Sequence, residues 1–291
     1  MKSSEYLLPM PAFEYIRPAS IKETVELLSE ESTFPIAGGT DLVILINNGK
    51  IIPKKVVDIT RLGLSYIREE NGEIIIGSNI TFQQIAESEK LRRYACLVES
   101  AKSIGTWQIR NLATIGGNLA NASPAADSVP PLLTLDSKVV IVGKDGEREI
   151  NMEDFFYGPR KTDLKKGELI KEIRFMINKK LQSGWERIGR RSQNTLSVVS
   201  VAVSGIVENR KFYNARIALG AASPYPILAL RAMQSIEGKE LTDEIIEAVA
   251  FEASKESKPI SDVRGSAEYR RIAITALTKR LLKSLAESEI E

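Results

Sequence analysis

The chain contains no histidine and only one cysteine, Cys96, in 291 residues. These shortages exclude whole classes of chemistry. Without an imidazole there is no serine–histidine catalysis, no histidine metal site and no flavin linked covalently through histidine. One cysteine forms no internal disulfide and cannot hold an iron–sulfur cluster, which needs several thiolates. Any redox role is therefore confined to an organic cofactor. Cys96 lies in a stretch, 91–104, that reads as a helix, so a buried structural thiol is expected there.

An excess of one charge is also missing. Forty basic residues against thirty-eight acidic ones leave a net charge of +2, too balanced to suggest nucleic acid or a membrane surface as partner. The longest strongly apolar run, 42–46, is far too short to cross a bilayer. The first ten residues include Lys2, Glu5 and Pro9 and lack the apolar core of an export signal. A cytoplasmic location is the resulting expectation. With 43% hydrophobic and 27% charged residues, the composition is that of a globular protein, and the length favours about two domains.

Local signals give an α+β pattern. A short strand is expected at 13–18. A helix opens at Ser20, where Glu23 completes a capping box and Ile21, Val25 and Leu28 form an apolar stripe. Segments 34–37, 55–59 and 73–78 read as strands, the last preceded by the hairpin signal Asn71-Gly72. Thr81 caps a short helix, and the helix at 91–104 follows. A hairpin is expected around Asp145-Gly146. Composition shifts near 178–183, which suggests a boundary. Beyond it, 196–207 and 213–220 read as paired strands around Asn209, and helices at 242–255 and 266–286 end the pattern.

Two glycine blocks carry the chemistry. Ala37-Gly38-Gly39-Thr40-Asp41 and Thr114-Ile115-Gly116-Gly117-Asn118 both read as turns after strand-like apolar stretches. Glycine pairs permit sharp turns and close backbone approach to a ligand, and successive N–H groups make concave anion sites. The first block is neither a Walker loop nor a dinucleotide fingerprint. The second sits in a segment, 108–127, without helical or strand period, and such a stretch in a compact domain is usually functional. Thr114 and Ser123 offer hydroxyls, Asn118 and Asn121 offer amides, and Asp127 offers an acceptor for a ribose hydroxyl or an adenine amine. Two such loops suit a ligand with a pyrophosphate at its centre. The bland alternative, tight connections and a polar surface loop, stays open on these residues alone.

The longer strings are more specific. Gln-Ile-Arg-Asn-Leu-Ala-Thr-Ile-Gly-Gly-Asn (108–118) with Ala-Ser-Pro-Ala-Ala-Asp (122–127) resembles the FAD-binding segment of the medium, flavoprotein subunits of molybdenum hydroxylases, the xanthine dehydrogenase and carbon monoxide dehydrogenase family. The first glycine block, the opening at 13–20, and segments 155–162, 167–170, 219–226 and 264–270 resemble the same subunits, so the similarity covers essentially the full chain. It implies a two-part FAD-binding domain of the PCMH type over 1–177 and a smaller α+β domain of the carbon monoxide dehydrogenase flavoprotein type over 183–287.

The resemblance also implies roles. Ile36, Ala37, Gly38, Gly39, Thr40, Asp41 and Leu42 would wrap the pyrophosphate. Thr114, Gly116, Gly117, Asn118, Asn121 and Ser123 would complete the cradle and reach the ribityl chain, and Asp127 would bind the nucleotide end. Ile104 would pack near the adenine and Leu169 would contact the cofactor through its main chain. Arg187 stands where the family often has a lysine, and Arg160 is a further candidate. Trp107 and Trp185 read as packing residues. FAD would be held noncovalently, molybdopterin and [2Fe–2S] clusters would sit only on a large and a small partner subunit, and electrons would leave to NAD or another acceptor. No catalytic acid or base and no metal ligand is expected. Two other classes stay open at this stage: a self-sufficient flavin oxidoreductase and a cofactor-free scaffold subunit.

Overall fold

The computed structural model describes residues 10–191 and 194–287. Its first part is a small parallel unit: β1 (Glu14–Ile16), α1 (Ile21–Leu28), β2 (Thr33–Ile36), α2 (Leu42–Asn47) and β3 (Lys55–Asp58), with sheet order β1-β3-β2. The Ser20 side chain caps α1 by accepting from Glu23 N–H, and the Glu23 carboxylate accepts from Ala19 N–H at 2.7 Å. The apolar run at 42–46 is helix α2, laid directly after the first glycine block.

The second part is a five-stranded antiparallel sheet. It receives β4 (Ile67–Glu70), β5 (Glu73–Gly77), β6 (Lys138–Gly143), β7 (Gly146–Asn151) and, after a small β8 (Phe156–Gly158) and β9 (Lys161–Thr162) pair, β10 (Leu169–Met176). The order is β4-β5-β10-β6-β7. The hairpins at Asn71-Gly72 and Asp145-Gly146 form as their turn residues dictate; Asn71, Gly72 and Gly146 take positive φ. Between β5 and β6 run α3 (Phe82–Glu87), α4 (Ala95–Ser103), α5 (Trp107–Arg110), α6 (Ile115–Asn121) and α7 (Val129–Thr134).

Three expectations change here. The stretch at 91–104 is not one helix, because a 3-10 turn over Glu89–Leu91 is separated from α4. The stretch 108–127 is not structureless: it holds the end of α5 and all of α6, so the second glycine block follows a helix and starts a helix. Glycine-rich sequence hides such short helices, because glycine lowers helix propensity and leaves no apolar period to see. Trp107 is 61% exposed and is no packing residue, whereas Trp185 is buried.

The third part is a four-stranded antiparallel sheet, β11 (Gln182–Gly189), β12 (Ser197–Glu208), β13 (Lys211–Gly220) and β14 (Ile227–Leu228), followed by α8 (Leu230–Ile236), α9 (Asp243–Glu256) and α10 (Ala267–Glu287). Strand period 2 divides its faces. Val199, Val201, Val203, Ile217 and Leu219 join a core with α9 and α10. Trp185, Ala202 and Ala218 join the core of the five-stranded part. Small residues on that face let α4 and α7 pack close to the sheet; Ser204 Oγ donates to the Thr134 carbonyl at 2.7 Å across the contact. The molecule is thus α+β, with the last sheet shared between two cores.

Cys96 is fully buried in the first core, and burial pushes its thiol up to about 11. A thiol reagent applied to the folded chain at about pH 8 should find no thiolate to attack and should label Cys96 only after unfolding. Rapid labelling of the native chain would contradict this burial.

Candidate functional site

The sequence places glycine where two backbones must meet. Between β2 and α2, a Cβ on Gly38 would lie 1.8 Å from the Leu112 carbonyl oxygen. Leu112 belongs to the turn between α5 and α6, just before the second glycine block, so the first block touches that turn main chain to main chain. Gly116 has a similar reason: its Cβ would lie 2.6 Å from Ser78 Cβ, at the end of β5. Gly39 takes φ +70°, the left-handed turn that admits the chain into α2. Gly117 differs, since a Cβ there would meet only the Thr114 hydroxyl, at 3.0 Å. Gly38 and Gly116 therefore serve the approach of protein to protein, and Gly117 is the glycine that leaves space.

Hydrogen bonding separates the blocks further. At the start of α6, the N–H groups of Ile115 and Gly116 donate to the carbonyls of Ile80 and Ser78, and Gly117 N–H donates to the Thr114 cap at 3.1 Å. That helix end is already satisfied. In the first block the N–H groups of Gly38, Gly39, Thr40, Asp41 and Leu42 donate to no described residue. Five successive free donors at the start of α2 form a concave donor array suited to an anion.

A cleft of about 820 Å³ opens over this array, a size in the range of cofactor pockets. The structure brings all the proposed contact residues onto its wall: Ile36 through Leu42 on one side, Ile104, Thr114, Gly116, Gly117, Asn118, Asn121, Ser123 and Asp127 on another, with Arg160, Leu169 and Arg187. Several of these side chains already have protein partners. Asn118 Oδ1 accepts from Ser128 Oγ at 2.7 Å and Asn121 Oδ1 accepts from Arg160 Nη1 at 2.6 Å. Ser123 Oγ accepts from Ala125 N–H at 3.3 Å. Asp41 faces Arg160 and Asn121, which partly offset the desolvation that raises its carboxyl above the ordinary value.

Asp127 is buried where the third part of the chain meets the segment after α6. Ser197 Oγ lies 2.7 and 2.8 Å from its two oxygens, and Arg187 Nη1 lies 3.7 Å away. Burial pushes the carboxyl up to about 6, against the pull of Ser197 and Arg187. The Arg187 guanidinium also donates to the carbonyls of Thr195 (2.6 Å) and Ser103 (3.1 Å), so it ties β11 to the end of α4. Its planar fork spreads these contacts over two nitrogens, whereas an ammonium would donate from a single point.

Sequence reasoning missed other wall residues, among them Ser78, Asn79, Phe82, Ile109, Glu168 and Leu196. Ser78 ends the strand signal at 73–78 and Asn79 follows it, and their polarity after three isoleucines was the available clue. Glu168 is held by Arg148 at 2.9 and 2.7 Å, which lowers its carboxyl.

The chain matches the FAD binding domain in molybdopterin dehydrogenase over residues 11–175 and the CO dehydrogenase flavoprotein C-terminal domain over 187–285. It is 30% identical to the glyceraldehyde dehydrogenase medium chain of Sulfolobus acidocaldarius, covering 95% of this chain and 99% of that one. It is 31% identical to the xanthine dehydrogenase FAD-binding subunit of Escherichia coli O157:H7, over 92% and 94%. Among solved structures, carbon monoxide dehydrogenase from Hydrogenophaga pseudoflava superimposes with a TM-score of 0.91 at 29% identity, over 95% of this chain and 98% of that one.

The glycine assignments separate in a stability measurement. Gly38→Ala forces two backbones apart and should cost about 3 kcal/mol in denaturant unfolding, whereas Gly117→Ala should stay within about 1 kcal/mol of the parent. Equal costs would contradict the geometry. Asp127 gives a pH signature. Its folded value of about 6 lies above an unfolded value of about 4, so the native state holds more protons between the two. Its penalty is absent below the lower value and complete above the upper one. Stability should therefore fall by about 3 kcal/mol from this group as pH rises from about 4 to about 6. Asp127→Asn should remove that component of the pH dependence; an unchanged slope would contradict the burial of this carboxyl.

Proposed function

Because the chain belongs to the FAD-binding medium subunits of the molybdenum hydroxylase family, we propose that its cleft holds FAD noncovalently and that it passes electrons from [2Fe–2S] clusters on a small partner subunit to NAD or another acceptor. A molybdopterin-binding large subunit completes the proposed assembly, which is xanthine-dehydrogenase-like in its flavin-binding chain and works in the cytoplasm. Support for the partners comes from relatives described as medium chains and from the "molybdopterin dehydrogenase" of the family's description. The division into units 1–177 and 183–287 is part of the same proposal and is supported by the two family matches.

The observation that carries the cofactor assignment is the run of five free N–H donors from Gly38 to Leu42 on the cleft wall. These residues fit a pyrophosphate: the donors stand at a helix start, where the backbone dipoles also favour negative charge. Gly117 leaves room for the phosphates to approach the second wall. Asp41, Asn121 and Arg160 close the rim, and Asp127 with Arg187 closes the far end. When bound, FAD supplies the electron-carrying ring system, and the protein supplies position and electrostatics. None of the wall residues is needed as an acid or base. The substrate pocket of the assembly belongs to the large subunit in this proposal.

The purified chain should be yellow, with about one FAD per chain that is released on acid precipitation of the protein. A folded chain that neither retains nor binds FAD would sink the proposal. Gly117→Val should fold and lose most of the FAD, because its branched side chain fills the approach that the free glycine leaves. Undiminished FAD content in that variant would remove Gly117 from the site. Copurifying subunits and metal analysis test the partners: molybdenum and iron should accompany the complex and be absent from the isolated chain.

A further inference from the structure

Arg270, in α10, is 1% exposed and heads the fully buried side chains by size. Its Nη1 donates to the carbonyls of Val198 (2.7 Å) and Ala221 (2.8 Å), and its Nη2 donates to Asp262 Oδ1 (2.7 Å). Asp262 is held in turn by Arg264, through Nε at 3.0 Å and Nη2 at 2.6 Å. The guanidinium thus joins the start of β12, the residue after β13 and the loop before α10.

Both gripped carbonyls belong to points at which the third part of the chain touches the cleft. Val198 follows Ser197, whose hydroxyl bonds to Asp127. The N–H of Ala221 donates to the Pro124 carbonyl at 3.0 Å. Ser123, Ala125 and Asp127 line the cleft around that segment. Ala221 also takes φ +53°, a left-handed conformation uncommon for alanine. It is held there by Arg270 on its carbonyl side and by Pro124 on its N–H side. Strained residues persist where their surroundings fix them, and they cluster at functional sites.

A buried guanidinium is a costly way to fill a core, since apolar side chains of similar volume do so as well or better. Its distinctive property is a rigid fork that reaches several acceptors at once. Here the fork fixes two strand ends relative to each other, and these ends hold the segment from Pro124 to Asp127.

We propose that Arg270 is a positioning residue for the cofactor cleft: by fixing the carbonyls of Val198 and Ala221, it sets where Ser197 and Ala221 hold the Pro124–Asp127 wall. It touches no cofactor and acts through that wall. The inference rests on the assignment of FAD to the cleft.

The test uses the full chain with Arg270→Lys and, separately, Asp262→Ala, the latter removing the partner of the guanidinium at a partly exposed site. FAD affinity, the visible circular dichroism of bound flavin and the melting temperature of the apoprotein are measured for each. Arg270→Lys should raise the Kd for FAD about tenfold, the factor carried by one charge-assisted hydrogen bond, and should change the flavin dichroism. Adding Ser197→Ala should then cost less than it costs in the parent chain, because both changes release the same wall. Adding Thr40→Val, on the opposite wall, should cost its full amount. Folded variants with lowered melting temperature but parental Kd and dichroism would overturn the proposal and leave Arg270 a core residue only. If Arg270→Lys does not fold, Asp262→Ala decides by the same criteria. A parent chain that binds no FAD would count against the cofactor assignment itself, and so is distinguishable from failure of this inference.

Discussion

The site depends on a single close approach, Gly38 against the Leu112 carbonyl. It brings the connection between β2 and α2 against the turn between α5 and α6, and so joins the parallel unit to the antiparallel one at the mouth of the cleft. No other residue fits there, because any Cβ would overlap a main-chain oxygen. The approach also has a consequence for hydrogen bonding. With the α5–α6 turn seated alongside, the first block leaves five N–H groups without a partner among the described residues and facing a cleft. These residues are half-buried to exposed, so their donors face the cleft and are open to an anion there.

The two blocks consequently divide the work unequally. The second, which looks the richer in ligand groups, spends most of them on the protein: its first N–H groups go to Ile80 and Ser78, its amides accept from Ser128 and Arg160, and the Thr114 and Ser123 hydroxyls accept from the N–H groups of Gly117 and Ala125. It is a rigid wall. The first block spends few of its donors on the described residues, which leaves them for the ligand proposed above. The third part of the chain enters as a brace. Its sheet packs one face on α8 and α10 and the other on α4 and α7, and its strand ends reach the wall through Ser197, Ala221 and Arg187.

Much of the fold is legible in the sequence where local chemistry decides. The caps at Ser20 and Thr81, the hairpins at Asn71-Gly72 and Asp145-Gly146, and the long β12–β13 pair follow from side-chain capping and positive-φ turns. The site was legible as a set of residues because the two blocks and the segment to Asp127 carry a dense similarity to one family. What was hidden is tertiary in origin. The short helix α6 is stabilised by packing and by the carbonyls of Ile80 and Ser78, and α5 by the Thr106 cap, rather than by an apolar period the sequence could show. The roles of Gly38 and Gly116 depend on residues about seventy and forty positions away. The partners of Arg187 and Asp127 come from other parts of the chain, so neither could be seen as a brace in advance.

The central claim is that the main chain from Gly38 to Leu42 is the chief anion-binding surface. Amide hydrogen exchange of the full chain, with and without FAD, addresses it most directly. Those N–H groups have no partner among the described residues, so they should exchange fast in the apoprotein and slow markedly on FAD binding, whereas Ile115 and Gly116 should be protected in both states. Saturating FAD that leaves exchange at 38–42 unchanged, with new protection elsewhere, would contradict the account.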